Sequence, residues 1–444
     1  MTRHFWVLFH RYAGLFMAFF LIVIGLTGSI IVFNPELNRW FDPPPKVMPQ
    51  DTLMLDAYTL RERAQALVPH GVFNNLTFHV KPDEPYSAWV EPRIDLATDK
   101  PYELGVTMLM LDPFTGAELK RENYTGDIWP ITQKNIMTLI NRLHYQMALP
   151  GSVGSYLFGI VALVWTLDCF VSGYLTFPVS IRRRKSAPSP SIPLPAGEGS
   201  VLPSPAGGRA GDEGRSFLSR WWNPAWLVKW NGSAHRINFD LHRAGGLWVW
   251  IMLLALAWSS VGFNLAEEVY NPVMKAVFNM PDPYGADLPK LEKPQPEPAL
   301  SWMEAHSIAQ RLMAEQARKN RFTVQYEDSL VYQADKGSFI YSVRSDRDLM
   351  DEGASTTMVF DGSGKFASLS VPTGQNAGST INSWIFALHM AQIWGLPFRI
   401  FVTCVGILIA MLSVTGVYIW LKKRNARHAS REKHARLLEE ETSI

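Results

Sequence analysis

Four blocks of nearly unbroken apolar residues interrupt an otherwise mixed chain: Ala13–Phe33, Tyr156–Phe177, Gly246–Leu265 and Ile400–Leu421. Each is about 20 residues long, the length an α-helix needs to cross a ~30 Å hydrocarbon layer. The pattern predicts four transmembrane helices. Lys and Arg gather at one end of every block: Arg3 and Arg11 before the first, Arg182, Arg183, Arg184 and Lys185 after the second, Arg236 and Arg243 before the third, Lys422, Lys423 and Arg424 after the fourth. Short cytoplasmic flanks retain positive charge, so both termini are expected in the cytoplasm. No small-residue cleavage site follows the first block, which is therefore expected to remain as an anchor.

Between the spans the periodicity changes. "LDAYTLRERAQAL" has a helical pattern, whereas "LTFHVKPDEPYSAWVEP" and "TMLMLDPFTGAEL" alternate like strands joined by turns. The same order recurs later. "SWMEAHSIAQRLMAEQAR" is an amphipathic helix opened by Ser301 with Glu304 three residues on, a capping box, and "SLVYQADKGSFIYSVRS" and "TTMVFDGSGKFASL" read as hairpins. Each outer segment has the size of a small α+β domain. Ser186–Gly214, dominated by Pro, Gly, Ser and Ala, cannot bury a core and is expected to be disordered. Arg220–Trp230, with Trp beside Arg and Lys, suits an interfacial helix.

The chain thus divides into a first span (1–34), an outer domain (35–141), an outer His segment with the second span (142–181), a cytoplasmic linker (182–236), a third span (237–265), a second outer domain (266–385), an outer His segment with the fourth span (386–422) and a tail (423–444). The halves repeat. "FHRYAGLF" at Phe9–Phe16 is echoed by "LHRAGGLW" at Leu241–Trp248, and the offset of 232 from His10 to His242 also carries Gly14 onto Gly246, Gly25 onto Ala257 and Gly28 onto Ser260. With Leu21 and Leu253 between them, these positions step by three, four or seven and form a small-residue packing face. "INRLHYQMALPG" is echoed by "IFALHMAQIWGLP", with His144 and His389 offset by 245. The expected architecture is a four-transmembrane-helix bundle of two parallel repeats, related by a pseudo-two-fold axis along the membrane normal.

Composition adds little except exclusions. At 47% hydrophobic and 18% charged residues the chain is apolar, and its net charge of +2 reflects membrane topology rather than nucleic-acid binding. The two cysteines, Cys169 and Cys404, lie inside spans, so neither a disulfide framework nor a CxxC metal site is available.

The candidate chemistry lies in the repeated histidines. Two-fold symmetry sets His10 against His242 on the cytoplasmic side and His144 against His389 on the outer side, each pair able to clasp a planar metal macrocycle. Two imidazoles without a neighbouring thiolate or carboxylate suit haem better than zinc, which takes four tetrahedral ligands. Gly14 and Gly246, one turn beyond the inner histidines, leave room for a porphyrin. Arg11 and Arg243 could pair with its propionates. Two b-type haems are expected, one near each membrane face. The bland reading makes these histidines and arginines interfacial markers, but ionisable groups facing a bundle interior usually have a function. Pro150 and Pro397 follow the outer histidines and place them on turns outside the spans proper. His235 and His4 read as solvated residues, Asp168 as a hydrogen-bonded structural residue with a proton relay as the alternative, and "DGSGK" as a hairpin turn.

The pattern "FHRYAGLF", an outer domain, "NRLHYQ" before a span ending in "RRRK", then "DLHRAGGLW", a second outer domain and "FALHM" before a last span resembles the PepSY-associated transmembrane (iron-regulated membrane protein) family. Within it the chain is most similar to the di-haem inner-membrane ferric-siderophore reductases. That resemblance implies PepSY-like periplasmic domains and reduction of siderophore-bound iron in the periplasm. The chain carries no dinucleotide fingerprint, flavin module or iron–sulfur cysteine cluster, so the electron donor is expected to be a quinol, a reduced flavin or a protein. Two function classes follow: an oxidoreductase passing electrons across the bilayer to a ferric siderophore, or a non-enzymatic membrane anchor that binds a peptide or protease.

Overall fold

A computed structural model describes residues 2–95, 97–124, 126–178, 225–278, 280 and 288–442. The Pro-rich stretch 186–214 and the Arg182–Lys185 cluster lie outside the described residues. The helices are α1 (Arg3–Ile31), α2 (Asn34–Phe41), α3 (Ala57–Leu67), α4 (Ile136–Gln146), α5 (Val153–Thr176), α6 (Ala234–Trp248), α7 (Trp250–Asn264), α8 (Asn271–Phe278), α9 (Trp302–Asn320), α10 (Ala377–Met390) and α11 (Gly395–Thr442). Among the described residues, three helices are long and apolar enough to cross a membrane: α1, α5 and Gly395–Arg436 of α11. The bent pair α6–α7 makes a fourth if it counts as one span. The expected interfacial helix at Arg220–Trp230 is described only from Ala225, with Ala225 and Trp226 helical and Leu227–Lys229 irregular.

The third span departs from the single helix expected over 237–265, because it breaks at Val249 with 69° between its halves. The indoles flanking the break are tied to different segments. Trp248 Nε1 donates to the Trp226 carbonyl and Trp250 Nε1 to the Cys169 carbonyl. Such anchoring, next to the helix-weakening pair Gly245–Gly246, supplies a local cause for the kink.

The chain forms two compact units: Met1–Phe19, Val164–Leu254 and Met411–Ile444 in the first, Phe20–Leu163 and Ala255–Ala410 in the second. In the first, Ser233 caps α6 by accepting from Arg236 N. Asp240, fully buried on α6, pairs with Arg236 and Arg243 at 2.9 Å each.

The second unit contains the outer segments. The first of these supplies β1 (Asn75–Thr77), β2 (Tyr86–Trp89), β3 (Met108–Leu111) and β4 (Glu118–Glu122), the second β5 (Val324–Gln333), β6 (Ser338–Ser345), β7 (Thr356–Asp361) and β8 (Phe366–Ser370). Antiparallel β2–β3–β4 packs under α3, with Leu60 and Ala64 against Tyr86, Leu109 and Leu111. The larger sheet runs β8–β7–β6–β5–β1. Its last strand comes from the first segment, Leu76 facing Leu330 across the β1–β5 ladder. Helix α9 lays Ala305, Ala309 and Met313 on this sheet, against Phe339, Tyr341, Met358 and Phe360. That i, i+4, i+8 spacing is one helical face. The capping box at Ser301 and Glu304 is present. "DGSGK" is the β7–β8 turn, where Asp361 Oδ1 accepts from the amides of Ser363 and Lys365.

Helix α1 meets α11 at a glycine pair. A Cβ on Gly25 would stand 2.6 Å from the Gly406 carbonyl oxygen, so no larger residue fits. Ser29 Oγ donates across the same contact to the Thr403 carbonyl. This is the close small-residue approach expected between helices in lipid.

Candidate cofactor-binding site

Each histidine pair lies within one unit. In the first, His10 on α1 and His242 on α6 place their ring centroids 6.2 Å apart with planes at 54°. In the second, His144 on α4 and His389 on α10 stand 6.3 Å apart at 79°. Short helices rather than the spans carry the outer histidines. Helix α4 ends at Met147 and α10 at Ala391, both in the left-handed region with φ of 55° and 54°. These turns precede the proline positions read from the sequence, and the spans start afresh at Val153 and Gly395.

All four rings are held through the same nitrogen. His10 Nδ1 donates to both oxygens of Asp168 on α5, at 2.9 and 3.0 Å. His144 Nδ1 donates to the Ile24 carbonyl at 3.1 Å, with Thr27 Oγ1 also at 3.1 Å. His242 Nδ1 meets Thr415 Oγ1 at 3.1 Å and His389 Nδ1 meets Ser259 Oγ at 2.6 Å. The hydroxyl protons are already committed. Thr415 donates to the Met411 carbonyl and Ser259 to the Ala255 carbonyl, each one turn back on its own helix. Their oxygens are left to accept, so each imidazole carries its proton on Nδ1 and presents a lone pair on Nε2. No hydrogen bond to any of these four Nε2 atoms occurs among the described residues.

These centroid separations are of the size two imidazoles would have if they held one metal between them. With metal–nitrogen bonds of about 2.0 Å and a ring centre roughly 1.1 Å behind its nitrogen, opposed imidazoles place their centroids about 6 Å apart. Nδ1 anchoring fixes ring orientation and tautomer, as partners beyond the ligands do at metal sites. A protein-only site is not offered, since no cluster of three or more His, Cys, Asp or Glu occurs among the described residues. Two imidazoles per pair are the ligand set with which a protein can hold a haem, whose macrocycle would supply the other donors. A Cβ added at Gly14 or Gly246 would meet nothing within 4 Å, so both open onto free space. Space is tight instead at two other glycines. A Cβ on Gly28 would lie 2.9 Å from His144 Cε1, and one on Gly416 would lie 3.1 Å from His242 Cε1.

The arginines are placed differently from each other. Arg243 pairs with Asp240 and donates to the carbonyls of Ala225 and Leu227. Arg11 lines a cationic pocket with α11. His4 and His235 are exposed, away from any pairing. The hydroxyl partners and Asp240 are not singled out by the sequence pattern. A signal was present, because Thr27 and Ser259 stand 232 positions apart, the offset of His10 and His242. Asp168, read as structural, is the partner of His10, so the inner pair, expected to have no carboxylate neighbour, has one on Nδ1.

The chain matches the family described as the PepSY-associated TM region over residues 7–423. No curated protein matches it.

Proposed function

The chain belongs to the PepSY-associated transmembrane family, a class of multi-pass membrane protein, and from that premise we propose that it is an inner-membrane, di-haem b-type oxidoreductase. Its substrate is ferric siderophore, reduced in the periplasm so that iron is released, and both of its termini are cytoplasmic. The four spans are read as two parallel repeats, a reading supported by Thr27 and Ser259, which take the same role beside His144 and His389.

The carrying observation is the pairing of four Nδ1-anchored histidines at centroid separations of 6.2 and 6.3 Å. His10 with His242 and His144 with His389 would each hold one haem. Bound haem supplies one-electron redox chemistry. The chain's own contribution is to fix these rings. Asp168 adds an anion behind His10, which raises that ligand's basicity, while His144, His242 and His389 face only neutral oxygens. Gly28 and Gly416 let His144 and His242 lie against helix backbone. No protein acid or base is required at the outer end, because the ferric chelate takes up an electron without any covalent bond being cleaved. Its weaker hold on ferrous iron then frees the metal.

The test is spectroscopic first. Purified protein is expected to show b-type absorption bands with two haems per chain, and His144→Ala is expected to lose one of them. Protein without such bands would favour the non-enzymatic anchor, and His144→Ala with both haems retained would reject the pairing. Anaerobically reduced protein mixed with candidate ferric chelates should reoxidise as ferrous iron appears.

A further inference from the structure

Beyond its apolar stretch, α11 continues as a strongly basic helix. Trp420, Lys423, Arg424, Arg427, His428 and Arg431 from α11, with Arg11 and Tyr12 from α1, line one cavity of about 220 Å³ inside the first unit. Steps of three and four residues bring the α11 cations onto one face. No Asp or Glu lines the cavity. Among the described residues, no ion pair involves any of these five Lys and Arg side chains. Arg424 rests over the Trp420 ring, 5.3 Å from its centre.

Five cations gathered with no ion-pair partner among the described residues repel one another, since like charges four apart on a helix are destabilising. An anion would relieve that repulsion. Its nature follows from size and surroundings. The volume is below the ~300–1,000 Å³ typical of pockets for drug-sized ligands and suits a compact phosphate ester. Tyr12 is 61% exposed and, with Trp420, gives the rim the amphipathic aromatic character of the headgroup layer. Basic pockets beside transmembrane helices on the cytoplasmic side are suited to anionic lipid head groups.

We propose that this cavity between α1 and α11 binds the phosphate-bearing head group of an anionic phospholipid. The site stands whether or not the histidine pairs hold haem. Full-length protein is placed in nanodiscs of phosphatidylcholine with a minor fraction of phosphatidylglycerol, and the lipids retained per chain are counted by native mass spectrometry. Phosphatidylglycerol should be retained preferentially, and Arg427→Gln with Arg431→Gln should cut the preference by about fivefold per charge removed. Lys423→Gln with Arg424→Gln is an independent second pair with the same expectation. Arg318→Gln with Lys319→Gln, at the exposed end of α9, should leave the preference unchanged. Equal retention by parent and both pocket variants, or an equal loss in the α9 control, overturns the site. Saturable binding of inorganic phosphate in discs of phosphatidylcholine alone, abolished by the pocket substitutions, would assign a soluble anion and overturn the lipid.

Discussion

Replacing Asp168 with Asn tests whether the inner pair is tuned by charge. Asp168 accepts from His10 Nδ1 through both oxygens at 2.9 and 3.0 Å, its side chain only 10% exposed. Asparagine keeps the size and one acceptor but removes the anion. Hydrogen bonds to charged groups contribute ~1.5–3 kcal/mol against ~1 kcal/mol for neutral ones, so the substitution withdraws about 1–2 kcal/mol from the more positive state of the site. At 59 mV per tenfold change for one electron, that is a rise of ~40–80 mV in one midpoint potential. A potentiometric titration followed through the b-type bands should show the lower of two midpoints moving up and the other staying in place. Haem content should remain two per chain, separating tuning from loss of structure. Unchanged midpoints, or two midpoints moving together, would refute the reasoning.

Gly28→Ala should expel the outer cofactor and spare the inner one, because its Cβ would stand 2.9 Å from His144 Cε1; haem stoichiometry falling to one per chain is the readout. Glu36 is bonded at 2.6 Å through both oxygens to Arg399, whose guanidinium holds its carboxyl at about 2 against an ordinary 4.5. A lowered folded value stabilises above the unfolded one, and the contribution fades as pH falls from about 4.5 towards 2. Glu36 is 53% exposed, so screening keeps the effect below about 1 kcal/mol. Glu36→Gln should therefore melt slightly below the parent at pH 7 and together with it at pH 2. Phe339→Ala, fully buried between α9 and the sheet, should cost about 3–5 kcal/mol in thermal or denaturant unfolding of the outer domains.

The apolar helices, and the nearness of His10 to His242 and of His144 to His389, were legible because lipid imposes a coarse, length-based pattern and because similar stretches of sequence recur at a fixed offset. The offset linking His10 to His242 needs no knowledge of contacts. The capping box at Ser301 was legible for a similar reason, being a local motif with local partners. What escaped were pairings between distant segments. Nothing near Asp168 in sequence points to His10, 158 positions away. The break at Val249 depends on indole bonds to carbonyls far along the chain, and the strand read from Leu76 onwards carries no sign that it pairs with β5 of the other outer segment. Thr27 and Ser259 lie between these cases, since their shared offset is visible but their hydroxyls look like ordinary small residues on a span.

The seam between β1 and β5 bears on how such a chain can be divided. Similar stretches in the two halves of the sequence suggest that either half might be lifted out as a self-sufficient molecule. Yet Asn75, Leu76 and Thr77 complete a sheet whose other four strands belong to the second half, so the second half alone loses an edge strand and the first half alone keeps a strand without its partner. Co-expressed as separate polypeptides parted within 186–214, the halves should instead find each other by strand complementation and co-purify.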